Sequence, residues 1–145
     1  MRRARCRAES GQMTIEFVVA LPVMLVVAVV AVNACTFFGI CAGFDNDFRD
    51  AVRIRATSPA YGQDLAQSCT LIEEDLARAC SAENVRARVE ARAVSQGHTT
   101  FTGTVKYEPT LFGLGLRSEV LGVSMPALLH REEITIDCYK PGVLL

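Results

Sequence analysis

The sequence predicts an α+β protein with a long N-terminal helix that crosses a membrane, a second helix and a small antiparallel sheet of about three strands. Three observations lead to this fold class. Residues 17–44 carry no charged side chain, residues 63–80 repeat apolar side chains at helical spacing, and two later stretches alternate apolar with polar residues. An uncharged stretch of this length is typical of a membrane span, and the two periods distinguish helix from strand.

The chain of 145 residues divides into three parts. Residues 1–11 form a basic leader, residues 12–44 a transmembrane helix, and residues 45–145 one small domain. The leader contains Arg2, Arg3, Arg5 and Arg7. Because arginines beside a span mark its cytoplasmic side, the N-terminus is predicted inside and the C-terminal domain outside.

Three modes of processing are compatible with the N-terminus. The apolar core of an ordinary signal peptide is about 7–15 residues long, and this run is about twice that length. Val32-Asn33-Ala34-Cys35 loosely matches the box before an acylated cysteine, which would make the chain a lipoprotein. In the third mode the chain is cut between Gly11 and Gln12, and the whole helix stays on the mature protein.

Glu16 is an acid at the start of the apolar run. A carboxylate at the centre of a bilayer costs about 2.5–3.5 kcal/mol on insertion scales, so such groups usually have a partner. Cleavage after Gly11 would give Gln12 a free α-amine four residues away, in the same chain or a neighbouring one. The alternative places Glu16 among the lipid headgroups, where the start of a helix favours an acid.

The long helix is predicted to continue past the membrane to Ser58-Pro59, with Phe44, Phe48, Ala51 and Val52 on one face. At the outer end of the span, small and polar side chains indicate either a close-packing helix face or a relaxed helix end. These residues are Asn33, Thr36, Gly39 and Gly43.

The second helix is predicted over residues 63–80, although Thr70 and Glu73 also match a capping box that would start it later. Cys69 and Cys80 share its apolar face about 16 Å apart, too far for a disulfide with each other. Each therefore either pairs elsewhere, with Cys138 as the candidate partner, or is a small buried apolar residue. Cys80 and Cys138 form the candidate disulfide of this sequence.

A hairpin and a third strand complete the predicted fold. Apolar and polar residues alternate over 85–93 and again over 100–107, with a turn at 95–98. The third strand falls within 120–138, where Val123, Met125, Ala127 and Leu129 alternate before Ile134, Ile136 and Cys138, and Pro126 makes it an edge or bulged strand. The apolar loop 111–121 dips toward lipid, contacts a partner or covers the sheet end.

No motif of an enzyme, metal site or cofactor site occurs in the sequence, so no enzymatic activity and no cofactor are predicted. His98 and His130 are expected at the surface. The arginines of the first strand alternate with a glutamate and predict a solvated face rather than a nucleic-acid contact. Glu73, Glu74 and Asp75 are expected on the solvated face of the second helix.

The combination of a basic leader, Gly11, Glu16-Phe17 and Pro22 resembles the N-terminus of type IV pilins and pseudopilins. In detail it is similar to the TadE-like pseudopilins of the tight-adherence (Flp) pilus family. The resemblance implies a pilin-like fold and cleavage between Gly11 and Gln12 by a prepilin peptidase. It also implies that Glu16, Phe17 and Pro22 act in packing the helix against other subunits.

The function implied by this resemblance is structural. The chain would be a minor pseudopilin that supports assembly of a tight-adherence (type IVc-like) pilus or a related secretion apparatus, as a single-pass protein of a bacterial cell membrane. Its partners would be the prepilin peptidase, other pilus or pseudopilin subunits and the inner-membrane assembly platform, with no nucleic acid. The alternative is a membrane-anchored or lipid-anchored binding or adhesin module that uses the 111–121 loop or the sheet.

Overall fold

The computed structural model describes residues 6–57, 62–95, 97–111, 119–120 and 123–138. It confirms the α+β class, with a long N-terminal helix, a second helix and a three-stranded antiparallel sheet. The elements are α1 (Cys6–Ala56), α2 (Leu65–Ala79), β1 (Val85–Ser95), β2 (His98–Tyr107), β3 (Glu119–Val120), β4 (Val123–Ser124) and β5 (Leu128–Asp137). The sheet has the order β1-β2-β5, and β3 pairs with β4 in a separate two-stranded ribbon.

Helix α1 is one continuous element of 51 residues, about 76 Å long at 1.5 Å per residue. Pro22 lies inside it without ending it. Its most apolar 18-residue segment, between Met13 and Ala56, has a mean hydropathy of 2.8, and only 6% of that segment is buried within the protein. This helix is therefore long and apolar enough to cross a membrane.

The second half of α1 packs on the sheet through the face that the apolar spacing predicts. Phe44, Phe48, Ala51 and Val52 are all buried, and the rings of Phe44 and Phe48 stack with centroids 5.7 Å apart. Residue 44, predicted as the end of the membrane span, thus lies in the core of the domain. The helix ends at Ala56, and the predicted stop at Ser58-Pro59 lies outside the described residues.

Helix α2 begins at Leu65, which confirms the longer of the two predicted helices. Asp64 caps it, because its carboxylate accepts a hydrogen bond from the Gln67 amide while the Gln67 side chain accepts one from the Asp64 amide. Thr70 lies within the helix and donates its hydroxyl to the Ala66 carbonyl, so it does not cap a later start. Ile72 and Leu76 are buried in the common core.

Strands β1 and β2 form the predicted hairpin, with Val85 opposite Tyr107 and Ser95 opposite His98. Gly97, with φ of 86°, takes the left-handed conformation that glycine adopts freely. The predicted alternation holds along β2, whose odd-numbered residues Thr99 to Tyr107 are buried. In β1 it ends early, because the register shifts between Ala93 and Ser95 and Ala93 is exposed.

The third strand, β5, confirms the predicted strand and corrects its orientation near Pro126. Even-numbered residues of β5, including Ile134 and Ile136, turn toward the core, and the strand begins with Leu128 in that orientation. Leu129, predicted on the apolar face, is 66% exposed. The alternation of apolar residues from Val123 to Leu129 therefore does not continue into β5, which starts at Leu128, two residues after Pro126.

Candidate functional site

The first feature of the site is the helix segment from Met13 to Val32. Its side chains are exposed with few exceptions, among them Val29, and Phe17 is 60% exposed. Glu16 is exposed on the same helix, and the Gly11–Gln12 bond lies within α1. The predicted motif thus lies along one helix, where Glu16 and Pro22 are about 9 Å apart along the helix axis.

The second feature is the junction at Asn33, where the domain binds the helix. The Asn33 amide nitrogen donates to the carbonyls of Val29 and Thr110, and its oxygen accepts from the Tyr107 hydroxyl and the Thr110 amide, each at 2.9 Å. The side chain is 3% exposed, and these four bonds satisfy its whole hydrogen-bonding capacity. Asn33 therefore fixes the end of β2 to α1.

This junction excludes one of the two interpretations of the small and polar residues near the outer end of the span, the relaxed helix end. The other, a close-packing helix face, stays a prediction, since an added Cβ at Gly39 or Gly43 meets nothing within 4 Å in this chain. The helix is not relaxed there, since it continues to Ala56, and Asn33 packs on its own domain. An asparagine in an otherwise apolar run indicates a hydrogen-bonded contact, because burial of its amide without partners is costly. The identity of the partners, 74 and 77 residues away in the sequence, came only from the structure.

Polar contacts join α1 to β5 further along the helix. Arg49 donates to the Glu132 carboxylate at 2.6 Å, and this bond raises the pKa of the guanidinium. His130 lies 2.8 Å from Asp45, and its ring meets Phe44 edge-on. His130 is half-buried rather than fully at the surface, and sequence spacing gave no sign of either pair.

The acidic residues of α2 are structural contacts, which corrects the prediction of a solvated face. Glu73 accepts a hydrogen bond from the Val89 amide at 2.7 Å, so α2 covers an outward-facing donor of the edge strand β1. Asp75 binds Arg55 at the end of α1 and also Arg78. The hydrogen bond from Arg55 is the main reason why the pKa of Asp75 lies below its usual range. Only Glu74 of the three is exposed.

Cys80 and Cys138, the candidate disulfide pair, are both free thiols. Cys80 lies beside Val85 at the start of β1, whereas the Cys138 amide donates to the Gly97 carbonyl at the hairpin turn. The two sites are separated by the length of a ten-residue strand, about 30 Å, and a disulfide requires Cα atoms within about 7 Å. The fold keeps this pair apart, and burial raises the pKa of the Cys80 thiol.

Two shallow cavities flank the junction, of about 510 and 420 Å³. Both are lined by Thr36, Ile40 and Ala82, so they form one groove between α1 and the segment that links α2 to β1. Across residues 6–57, 62–95, 97–111, 119–120 and 123–138, no group of three or more His, Cys, Asp or Glu side chains is placed to hold a metal ion.

Comparison with protein-family models, with curated proteins and with solved structures finds no match. An exposed apolar helix leads without interruption into a domain, and a fully hydrogen-bonded Asn33 locks the two together. Such an arrangement fixes the position of the domain relative to the exposed apolar segment of the helix.

Proposed function

We propose that this protein is a structural subunit anchored in a bacterial cell membrane, a TadE-like minor pseudopilin that supports assembly of a tight-adherence pilus or a related secretion apparatus. The observation that carries the proposal is the single helix α1, whose segment from Met13 to Val32 is largely apolar and exposed and whose second half is built into the domain. Together with the Gly11, Glu16-Phe17 and Pro22 motif, this is the architecture expected of a pilin-like subunit.

The dimensions of α1 support a single span. The exposed stretch from Met13 to Val32 covers about 30 Å at 1.5 Å per residue, which matches the hydrocarbon thickness of a bilayer. The polar Asn33 follows directly at its outer end. The basic leader lies at the other end, so we place the N-terminus in the cytoplasm and the domain outside.

The length of α1 also bears on Glu16. In the uncut chain α1 extends back to Cys6, ten residues before Glu16. The helix dipole stabilises an acid only in the first turn of a helix, and Glu16 lies beyond that turn. Cleavage between Gly11 and Gln12 by a prepilin peptidase would create a new helix start and a free α-amine close to Glu16. Processing would therefore place a positive charge beside Glu16 that can neutralise its carboxylate, within one subunit or between two.

The lipoprotein alternative conflicts with the contacts of the junction. Cys35 is exposed, as an acylated residue must be, but cleavage before it would remove Val29 and Asn33, both buried at 3% exposure. Removal of Asn33 would leave the Tyr107 hydroxyl and the Thr110 backbone without their partner. The 111–121 loop, on which an adhesin function would depend, lies mostly outside the described residues.

N-terminal sequencing and intact mass of the membrane-extracted protein test the processing step. A mature start at Gln12 supports the pseudopilin, a start at Cys35 supports the lipoprotein, and a start at Met1 contradicts processing. Deletion of the gene in the bacterium that carries it tests the assembly role. Loss of pili supports assembly, whereas intact pili with loss of attachment alone would identify an adhesin.

We predict that Gly11→Leu blocks maturation, because a bulky side chain replaces the small residue before the cut. The variant should accumulate with the leader attached, as seen by a shift in intact mass. Gly39→Ala is the matched control, since Gly39 lies on the same helix with nothing within 4 Å of an added Cβ. Normal processing of Gly11→Leu would refute the placement of the cleavage site.

A further inference from the structure

We propose that the membrane-side end of the domain lies in the interfacial layer of the bilayer, so that phospholipid is a binding partner of the sheet end as well as of the helix. The proposal rests on the membrane span proposed above. It goes beyond an anchor, because a domain held against lipid resists tilting and rotation of its helix in the bilayer. The contact would present the rest of the domain in one orientation.

The first argument is the absence of a linker between span and domain. Helix α1 runs unbroken through Asn33, and Asn33 binds the Thr110 backbone and the Tyr107 hydroxyl. The end of β2 is therefore held beside the helix segment from Asn33 to Phe37, whose ring lies 6.0 Å from that of Tyr107. Counted from Glu16, a span of about 20 residues ends near Thr36, so the outer edge of the hydrocarbon lies between Val32 and Thr36.

The second argument is the exposure of bulky apolar side chains at this height. Phe38 is 70% exposed and lies about 7.5 Å beyond Asn33 along α1, or about 3 Å beyond Thr36. Leu129 is 66% exposed on the outer face of the sheet and pairs with Lys106, the neighbour of Tyr107. The interfacial layer adds about 5–7 Å on each side of the hydrocarbon. With the edge of the hydrocarbon near Thr36, we therefore place Phe38 and the neighbouring end of the sheet with Leu129 in this layer.

The contact combines apolar with basic side chains. On the outer face of the sheet Lys106 lies between Arg86 and Leu129, and Arg88 and Arg131 flank Thr104 in the next row. Lys106 binds Glu108 at 2.8 Å, so acidic groups offset part of this basic charge. Because basic residues near a bilayer surface attract anionic lipid, we expect the domain to contact zwitterionic bilayers through its apolar side chains and anionic bilayers more strongly, with the difference reduced by salt.

Tryptophan scanning tests the proposal directly, because the chain contains no tryptophan. Four single variants are reconstituted at full length in phosphatidylcholine vesicles, with or without bromine on the lipid acyl chains. Phe38→Trp and Leu129→Trp report on the proposed contact. Leu25→Trp reports on the span, and Val94→Trp reports on an exposed position at the hairpin end of the sheet.

We expect brominated lipid to quench the tryptophan fluorescence of Leu25→Trp strongly and to leave that of Val94→Trp unchanged. The fluorescence of Phe38→Trp and Leu129→Trp should be quenched to an intermediate extent. If Leu25→Trp is quenched while the two contact variants behave like Val94→Trp, the lipid contact is wrong and the span stands. If Leu25→Trp is itself unquenched, the span is wrong. A blue-shifted but unquenched contact variant would show that a second protein copy covers the surface, and would overturn the proposal.

Discussion

At the scale of single residues, the junction depends on the carboxamide of Asn33. We predict that Asn33→Ala lowers the free energy of unfolding by about 2–4 kcal/mol, because it removes the buried hydrogen bonds to the Tyr107 hydroxyl and to the Thr110 backbone groups. Thermal unfolding of the full chain in detergent micelles, followed by circular dichroism, measures the loss.

Tyr107→Phe is the matched control for this prediction. It removes only one of the four hydrogen bonds and should cost about 1 kcal/mol. If both variants lost the same small amount, Asn33 would not be the residue that fixes the domain to the helix.

The close approach of α1 to the sheet depends on another single residue, Gly103. A Cβ at this position would lie 2.9 Å from atoms of the Phe44 and Phe48 rings, inside their van der Waals contact. We predict that Gly103→Ala destabilises the domain by about 1–3 kcal/mol, as overpacking of a well-filled core does. The measurement is again thermal unfolding in micelles.

Gly39→Ala supplies the comparison, because an added Cβ at Gly39 meets nothing within 4 Å. It should leave stability unchanged or raise it by up to about 1 kcal/mol through helix propensity. Equal losses for the two alanine variants would contradict the crowding at Gly103.

At the scale of elements, the ends of α1 and α2 are joined by an ion pair with a defined pH dependence. Arg55 binds Asp75 at 2.7 Å, and this contact holds the pKa of Asp75 below its usual range. A carboxylate with a lowered pKa in the folded state contributes stability above its unfolded pKa of about 3.9. The contribution is lost as the pH falls through the lower, folded pKa.

We therefore predict that Asp75→Asn lowers the melting temperature at neutral pH and that the gap to the wild type narrows below about pH 4. Melting curves between neutral and acidic pH measure this. Glu74→Gln, at an exposed position beside Asp75, is the control and should follow the wild type. A gap that persisted undiminished at acidic pH would show that the effect does not come from the Asp75 charge.

Contacts between elements fasten both outer strands of the small sheet to the helices. Strand β1 is an edge strand, and the Glu73 carboxylate of α2 binds its Val89 amide. On the other edge, α1 reaches β5 through Arg49 and Asp45. Helix-borne polar groups thus fasten both edge strands, which a sheet of only three strands requires for stability.

At the scale of the whole molecule, the antiparallel path of the chain separates its cysteines. Cys80 lies beside Val85 at the start of β1 and Cys138 lies at the hairpin end of the sheet. We predict that peptide mapping of the oxidised, non-reduced protein finds no link between them, and that reductant leaves the melting temperature unchanged. Detection of a peptide containing a Cys80–Cys138 disulfide would contradict the fold as described.

The sequence alone determined the features that depend on local spacing. The uncharged run predicted the long helix, the residues Phe44, Phe48, Ala51 and Val52 predicted its buried face, and alternation predicted the hairpin and a third strand. These predictions were confirmed because each period is a property of neighbouring residues. The leader, its cleavage and the assembly role stay predictions.

Only the tertiary structure decided which residues meet across the chain. Asn33 finds its partners 74 and 77 residues away, and His130 meets Asp45 across 85 residues. The sequence also did not predict on which face of the sheet Leu129 lies, because a one-residue shift after a proline moves every side chain of the strand to the opposite face. Such pairings depend on how elements pack, and no local pattern records that packing.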